Sequence, residues 1–225
     1  MVEHPGTPMQ RLGAAVMRTL FAATGSGTLD GDVIARAESY ISAIHATALT
    51  LSALLVFVTG VVLMRRTSLT HALFVQAAPL ASTPLLLELA RVRPEVLLVG
   101  TTVAFAGAVV LYMEAPDRHA PFALQSGILL GLSVALKFTA VPLLIAPLLL
   151  LPDWRTRRLF AGTAAATFLA GIIVALRKLP YMARWTLALA LHSGRYGAGP
   201  ATVVNPARLL SSLGSLLAGE AVVAL

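Results

Sequence analysis

The sequence predicts an all-α fold: a polytopic integral membrane helical bundle, with interfacial amphipathic helices and a short broken helix pair around Lys137. Three observations carry this reading. Of 225 residues, 57% are hydrophobic and 12% are charged, about half the roughly 25% charged fraction of soluble domains. Mean hydropathy is +0.83. The apolar residues also gather into runs near the ~20 residues that cross a ~30 Å hydrocarbon core, with short basic clusters between them.

The elements follow in order along the chain. Glu3-His4-Pro5-Gly6-Thr7-Pro8 is a polar turn-forming segment, without the basic start and apolar core of a signal peptide. It is better suited to the interior of a protein, and the apolar C-terminus stops without a basic flank, so both ends are expected to be cut. Leu12 to Phe21 is too short to span. With Arg11 and Arg18 on one face and Leu12, Val16 and Leu20 near another, it reads as an interfacial amphipathic helix. A polar link from Thr24 to Asp32 leads to the first span, Ile41 to Met64, closed by Arg65 and Arg66. The second runs from Leu69 to Ala90 and is expected to kink at Pro79 and Pro84. Glu88, Arg91, Arg93 and Glu95 form a polar junction, and Glu95 to Met113 is the third span. After a polar loop, Phe122 to Leu151 holds the broken pair, and Leu159 to Leu176 follows a basic stretch at Arg155, Arg157 and Arg158. The expected organisation is one transmembrane domain over 1–225. It comprises an extracytoplasmic loop over 1–40, spans over 41–176, a second extracytoplasmic loop over 177–206 and the start of a last span over 207–225.

Lys137 is the most informative residue, one cation near the middle of about thirty otherwise uncharged residues. A lone ammonium at the centre of a bilayer costs at least ~2.5–3.5 kcal/mol on insertion scales, so it marks either a function or a water boundary. Thr139 and Pro142 favour a break just beyond it. The run is therefore expected to form two short helices meeting at a polar tip, with the ammonium at the membrane surface. Snorkelling at a helix end is the plain alternative.

Four stretches resemble the membrane glycosyltransferases of the GT-C fold, of the protein-mannosyltransferase and lipid A aminoarabinose-transferase type. Glu3-His4-Pro5-Gly6-Thr7-Pro8 is similar to the acidic-His-Pro segment of their first extracytoplasmic loop. Ser42-Ala43 through Leu54-Leu55 to Arg65-Arg66 resembles their second span with its basic cytoplasmic end. Ala90-Arg91-Val92-Arg93-Pro94-Glu95 resembles a junction R-x-R-P-(D/E)-x-L-L, and Gly127 through Gly131 to Lys137-Phe138-Thr139 a segment G-L-x-x-G-L-a-x-l-T-K-y-T. The resemblance implies transfer of a sugar from a polyprenyl-phosphate donor to an extracytoplasmic acceptor, in the bacterial cytoplasmic membrane. Cations would stabilise the released phosphate and a carboxylate would take the acceptor's proton. In such enzymes the catalytic Asp or Glu lies just after the first span, upstream of the His-Pro segment at which this chain begins. The fragment alone is therefore expected to lack it.

The resemblance also implies an orientation. Arg65, Arg66, Arg118, Arg155, Arg157 and Arg158 become cytoplasmic, and the other eleven basic residues extracytoplasmic. The positive-inside rule by itself gives the opposite answer, but a site for an anionic lipid needs cations on its own side.

Lys137, Arg91, Arg93, His192 and Arg195 are the candidate contacts to substrate phosphate. The last two sit in a glycine-rich loop, His192 to Gly199, whose backbone N–H groups suit an anion; an ordinary surface loop is the alternative. Arg91 and Arg93 equally suit a headgroup anchor, and Glu95 a helix cap. Glu3, His4, Asp30 and Asp32 are the weak catalytic candidates. The Gly/Ser/Thr-rich setting of the two aspartates reads first as a turn before a helix from Val33, and a divalent metal there has no further support. His45 and His71 stand alone. Gly127 and Gly131 suit close helix packing, and Trp154 and Tyr112 an aromatic belt. The net charge of +7 suits lipid headgroups; scattered cations do not suit nucleic acid. Zero cysteines exclude disulfides and thiolate chemistry. The bilayer, a polyprenyl-phosphate sugar and an unidentified acceptor are the expected partners, with no cofactor implied. A transporter or permease subunit and a non-catalytic truncated membrane protein are the alternatives; a transporter predicts paired broken helices, of which the sequence offers one.

Overall fold

The computed structural model describes residues 7–190, 209–212, 214 and 215. They are helical, and no strand occurs among them. The order is α1 (Thr7–Thr24), α2 (Leu29–Ala35), α3 (Ala37–Arg66), α4 (Leu69–Ala77), α5 (Thr83–Leu89), α6 (Glu95–Glu114), α7 (His119–Leu136), α8 (Ile145–Leu150), α9 (Trp154–Gly171) and α10 (Leu179–Ala190). Short 3-10 segments occupy Ala78–Ala81, Phe138–Leu144 and Ile173–Lys178.

Local chemistry explains where the helices start and stop. Ser68 and Asp153 cap α4 and α9 by accepting from the backbone N–H of His71 at 3.1 Å and of Thr156 at 2.9 Å. Thr28 accepts from Gly31 N–H at 3.3 Å, so α2 begins at Leu29. Asp30 and Asp32 therefore lie in the first turn of a helix, four residues earlier than the start expected at Val33, because the threonine hydroxyl supplies the cap. Arg65 and Arg66 close α3 with positive charge on the negative end of its dipole.

Among the described residues three helices, α3, α6 and α7, are long and apolar enough to cross a membrane. The expected second span is not one helix. Pro79 and Pro84 cut it into α4, a 3-10 turn and α5, of which α4 is the longest at nine residues. Around Lys137 the break comes at the lysine itself, in extended conformation (φ −154°, ψ 124°), and not after it. Pro142 has no N–H to give the Phe138 carbonyl, and its ring clashes with that carbonyl, so the chain continues as 3-10 helix. The pair is also unequal: α7 has 18 residues and α8 has six. The stretch expected to span from Leu159 to Leu176 begins earlier, at Trp154, and bends by 85° between Gly171 and Ile173.

Small residues set the packing. On α7, Gly127, Gly131 and Ala135 meet Thr163, Thr167 and Gly171 of α9, each pair 36 residues apart, so the two helices run parallel. A Cβ on Gly131 would stand 2.4 Å from the Ala164 carbonyl oxygen, and one on Gly127 2.8 Å from Thr163 Cβ. The glycine pair thus serves close helix packing, as its spacing implied. Gly100 and Gly107 of α6 lie against Ser52 and Thr59 of α3 at a constant offset of 48, so this pair is parallel too. α6 and α7 run antiparallel: Ser133 donates to Thr101 at 2.8 Å, while Tyr112 stacks on Phe122 with ring centroids 4.3 Å apart.

The bundle therefore has two ends. At the Lys137 end lie the starts of α3 and α6 and the C-termini of α5, α7 and α9. The amphipathic α1 crosses there, with Met9 buried against Ala48 and Val96, Gly13 against Ile44 and Pro8 near Gly171. At the Tyr112 end lie Arg65, Arg66, His71, Glu114, Arg118 and the α9 cap. The outer face of α3 exposes Leu51, Leu54, Phe57 and Val58, apolar surface suited to lipid.

Gly131→Ala is expected to lower stability by about 1–3 kcal/mol through overpacking, although alanine is the better helix former. Gly162→Ala, with nothing within 4 Å of the new methyl, is expected to be neutral or stabilising by up to ~1 kcal/mol. Thermal unfolding of both variants in detergent checks the pair.

Candidate functional site

Charge at the Lys137 end is organised as three small networks on three junctions. The first joins α6 to α7. Lys137, exposed by the extended backbone that ends α7, donates its ammonium to Glu95 Oε1, in the first turn of α6 and 42 residues away. Glu95 also lies in the first turn of α6, at the positive end of its own helix dipole, and that helix start has no side-chain cap hydrogen bond. The Glu95 side chain is 16% exposed and that of Lys137 39%: the pair sits at the rim and not in the middle of the bundle.

The second network lies between α5 and α6. Glu88 accepts from Arg91 at 3.1 Å through Oε1 and from Arg93 at 2.7 Å through Oε2. One carboxylate thus serves two guanidiniums, which leaves one positive charge in excess. Pro94 starts α6 directly after them, fixing the turn that brings both arginines back over Glu88. His45 of α3 anchors the same junction with a 2.8 Å hydrogen bond between Nε2 and the Leu89 carbonyl at the end of α5. Such an exposed carbonyl at a helix end needs a donor, which gives this isolated histidine a structural role.

The third network ties α1, α2 and α3. Arg36 Nε donates to Asp32 Oδ1 at 3.0 Å, its Nη2 to Oδ2, and its Nη1 to Thr24 Oγ1 at 3.3 Å. Tyr40, fully buried, donates its hydroxyl to Asp32 Oδ2 at 2.5 Å. The Arg36 hydrogen bonds, followed by that from Tyr40, hold the Asp32 carboxyl below its ordinary value of 3.8. Asp32 is therefore a carboxylate saturated by donors, an arrangement that suits a corner of the fold. Asp30, two residues away, points to solvent.

Lys137, Arg91, Arg93 and Asp32 are thus brought to one end of the bundle. Glu3, His4, His192 and Arg195 lie outside the described residues. Among the described residues no group of three His, Asp or Glu side chains gathers as a metal site would need. Arg36 and Tyr40 are participants that sequence reasoning did not single out, whereas Glu88 stood in the expected polar junction. The i, i+4 spacing of Asp32 and Arg36 and the i, i+3 spacing of Glu88 and Arg91 were available signals. Tyr112, expected in an aromatic belt, is buried. Its hydroxyl shares a 2.8 Å hydrogen bond with His119 Nδ1 and donates to the Leu150 carbonyl at 3.3 Å. Burial of a tyrosine ring needs such partners, and the first residue of α7 and the last of α8 supply them. Trp154 is exposed beside Arg158.

No family model, curated protein or solved structure matches the chain.

The Lys137–Glu95 pair is testable by a double-mutant cycle. Glu95→Gln and Lys137→Met are each expected to cost about 1–2 kcal/mol, less than the about 3–5 kcal/mol of a fully buried pair because Lys137 is partly solvated. The double variant is expected to recover part of the sum. Asp32 gives a pH signature. Its folded pKa lies below 3.8, so its contribution is present above that value and is lost as pH falls through the folded value. The Tm gap between wild type and Asp32→Asn is expected to be constant from pH 7 to about pH 5 and to close only in stronger acid.

Proposed function

We propose that this chain is a polytopic membrane protein whose Lys137 end forms the phosphate side of a glycosyltransferase-type site. In this reading it takes a sugar from a polyprenyl-phosphate donor and passes it to an extracytoplasmic acceptor, in a bacterial cytoplasmic membrane. One observation carries the reading: Arg91 and Arg93 share a single carboxylate, two residues before the Glu95–Lys137 pair, at the end of the bundle crossed by the amphipathic α1.

The chemistry explains why an excess of guanidinium belongs there. The acceptor oxygen forms a bond to the sugar's anomeric carbon as the bond from that carbon to the phosphate oxygen breaks. The phosphate leaves with the bonding pair and gains negative charge, while the acceptor's proton passes to a base. Arginine forks match phosphate oxygens in geometry and charge, so their hydrogen bonds strengthen as the leaving group forms. Glu88 holds the forks in place beforehand and gives one of them up to the arriving phosphate. Asp32, already saturated by Arg36 and Tyr40, is poorly placed to take a proton and serves the fold. Of the candidates for that step, Glu3, His4 and the exposed Asp30 remain.

A transport role is the second reading. It is favoured by the breaks at Ala78–Ala81 and at Lys137, two interrupted segments where the sequence offered one.

Polyprenyl phosphate added to the purified chain in detergent is expected to raise Tm. At a hundredfold excess over Kd the gain approaches ~2.7 kcal/mol. The matching polyprenol, without phosphate, is expected to leave Tm unchanged, and Arg91→Gln with Arg93→Gln to remove most of the gain. Equal stabilisation by the polyprenol, or full stabilisation of the double variant, would falsify the phosphate reading.

A further inference from the structure

Along the opposite half of the bundle, α3 and α7 both pack on α6 and leave a groove between them. Its floor is made of the small residues Ala104, Gly107 and Ala108, and its walls include Val58, Val62 and Ile128. This apolar part holds about 240 Å³. It shares Val62, Ala108, Leu111 and Gln125 with a second cavity of about 330 Å³ that opens at the Tyr112 end, between Arg66 and Arg118. The two are one continuous groove, apolar along its length and basic at its mouth. From Arg118 to Ile128 it follows ten residues of α7, about 15 Å at helical rise.

The charges at the mouth differ from those at the Lys137 end. There Arg36, Arg91, Arg93 and Lys137 each have a carboxylate. Among the described residues, neither the Arg66 nor the Arg118 guanidinium has a hydrogen-bonding or ion-pair partner. Glu114 lines the same mouth, with His71 Nδ1 4.0 Å from its Oε1. Two guanidiniums thus face one carboxylate at the edge of an apolar channel. Gln125 adds an amide one to two turns deeper, where polar atoms in hydrocarbon need a partner.

We propose that this groove binds one anionic phospholipid. Its phosphate lies between Arg66 and Arg118, its ester region at Gln125, and one acyl chain over Ala104 and Gly107. Charge complementarity selects this occupant: two unpaired forks match phosphate oxygens, and basic pockets between membrane helices favour anionic headgroups. A helix from a second copy would fill the apolar length but leave both arginines unanswered. The proposal requires only that α3, α6 and α7 cross a bilayer. It is independent of the transferase reading, which concerns the other end.

Native mass spectrometry of the purified full chain with added phosphatidylglycerol or phosphatidylcholine, of identical acyl chains, tests it. The expected result is one tightly bound phosphatidylglycerol, favoured about tenfold over phosphatidylcholine. Arg66→Gln with Arg118→Gln is expected to abolish that preference while leaving helical content unchanged. Arg155→Gln with Arg158→Gln, at the same end but outside the groove, is expected to retain it. Val58→Trp, which fills the groove from an exposed position, is expected to weaken both lipids. The proposal is overturned by equal binding of the two lipids or by a preference that survives loss of Arg66 and Arg118. It is equally overturned if the Arg155/Arg158 variant loses as much, which would mean general surface charge. Displacement of lipid by millimolar inorganic phosphate in wild type and Val58→Trp alike would mean a headgroup site only. A dimer that Val58→Trp dissociates would mean that a second copy occupies the groove.

Discussion

Backbone approach along α7 and α9 is the constraint on which the rest of the structure depends. Where a Cβ on Gly131 would reach the Ala164 carbonyl oxygen at 2.4 Å, the helices touch main chain to main chain. For helices that cross a bilayer, association rests on such packing and on hydrogen bonds between helices, not on apolar burial. The stripe continues to Ala135 and Gly171 and so brings the end of α9 to the end of α7. The 85° bend that follows turns Ile173–Tyr181 out of line with α9. That geometry, with α1 seated nearby on α3 and α6, makes the Lys137 end a surface of short, crossing helices.

Polar groups between the helices obey the same constraint. Ser133 donates to Thr101, Gln76 donates to the Val56 carbonyl at 3.1 Å, and Ser126 returns a hydrogen bond to Phe122 O at 2.6 Å. Gly60 matters for the second of these: a Cβ there would lie 2.0 Å from Gln76 Nε2. A small residue on one helix admits a polar side chain from the next, whose donor then finds a carbonyl. The charged groups, by contrast, collect at the two ends. At one end carboxylates meet most of them. At the other, Arg66 and Arg118 line the mouth of an apolar groove.

Much of this was legible from single residues. Arg65 and Arg66 mark the end of α3, Glu95 the start of α6, and the Gly127–Gly131 spacing a packed face, because each rests on chemistry within a turn or two of helix. Helix breaks were only half legible. Pro79 and Pro84 announced a kink, but whether the chain bends or splits into short pieces depends on what packs alongside. Tyr112 misled for a related reason: a tyrosine near the end of an apolar run suits an interface equally well, until His119 and the Leu150 carbonyl are placed beside its hydroxyl.

By itself the sequence determined the helical class, the long apolar helices α3 and α6 and the Gly127–Gly131 packing face, since composition and periodicity act locally and need no partner. The tertiary structure alone decided which charges distant in sequence meet. Lys137 and Glu95 are 42 residues apart and carry no mutual signal in the chain. They pair because α6 and α7 run antiparallel and place the start of one beside the end of the other. Coulomb energy depends on separation in space, and only the packing of the helices sets that separation.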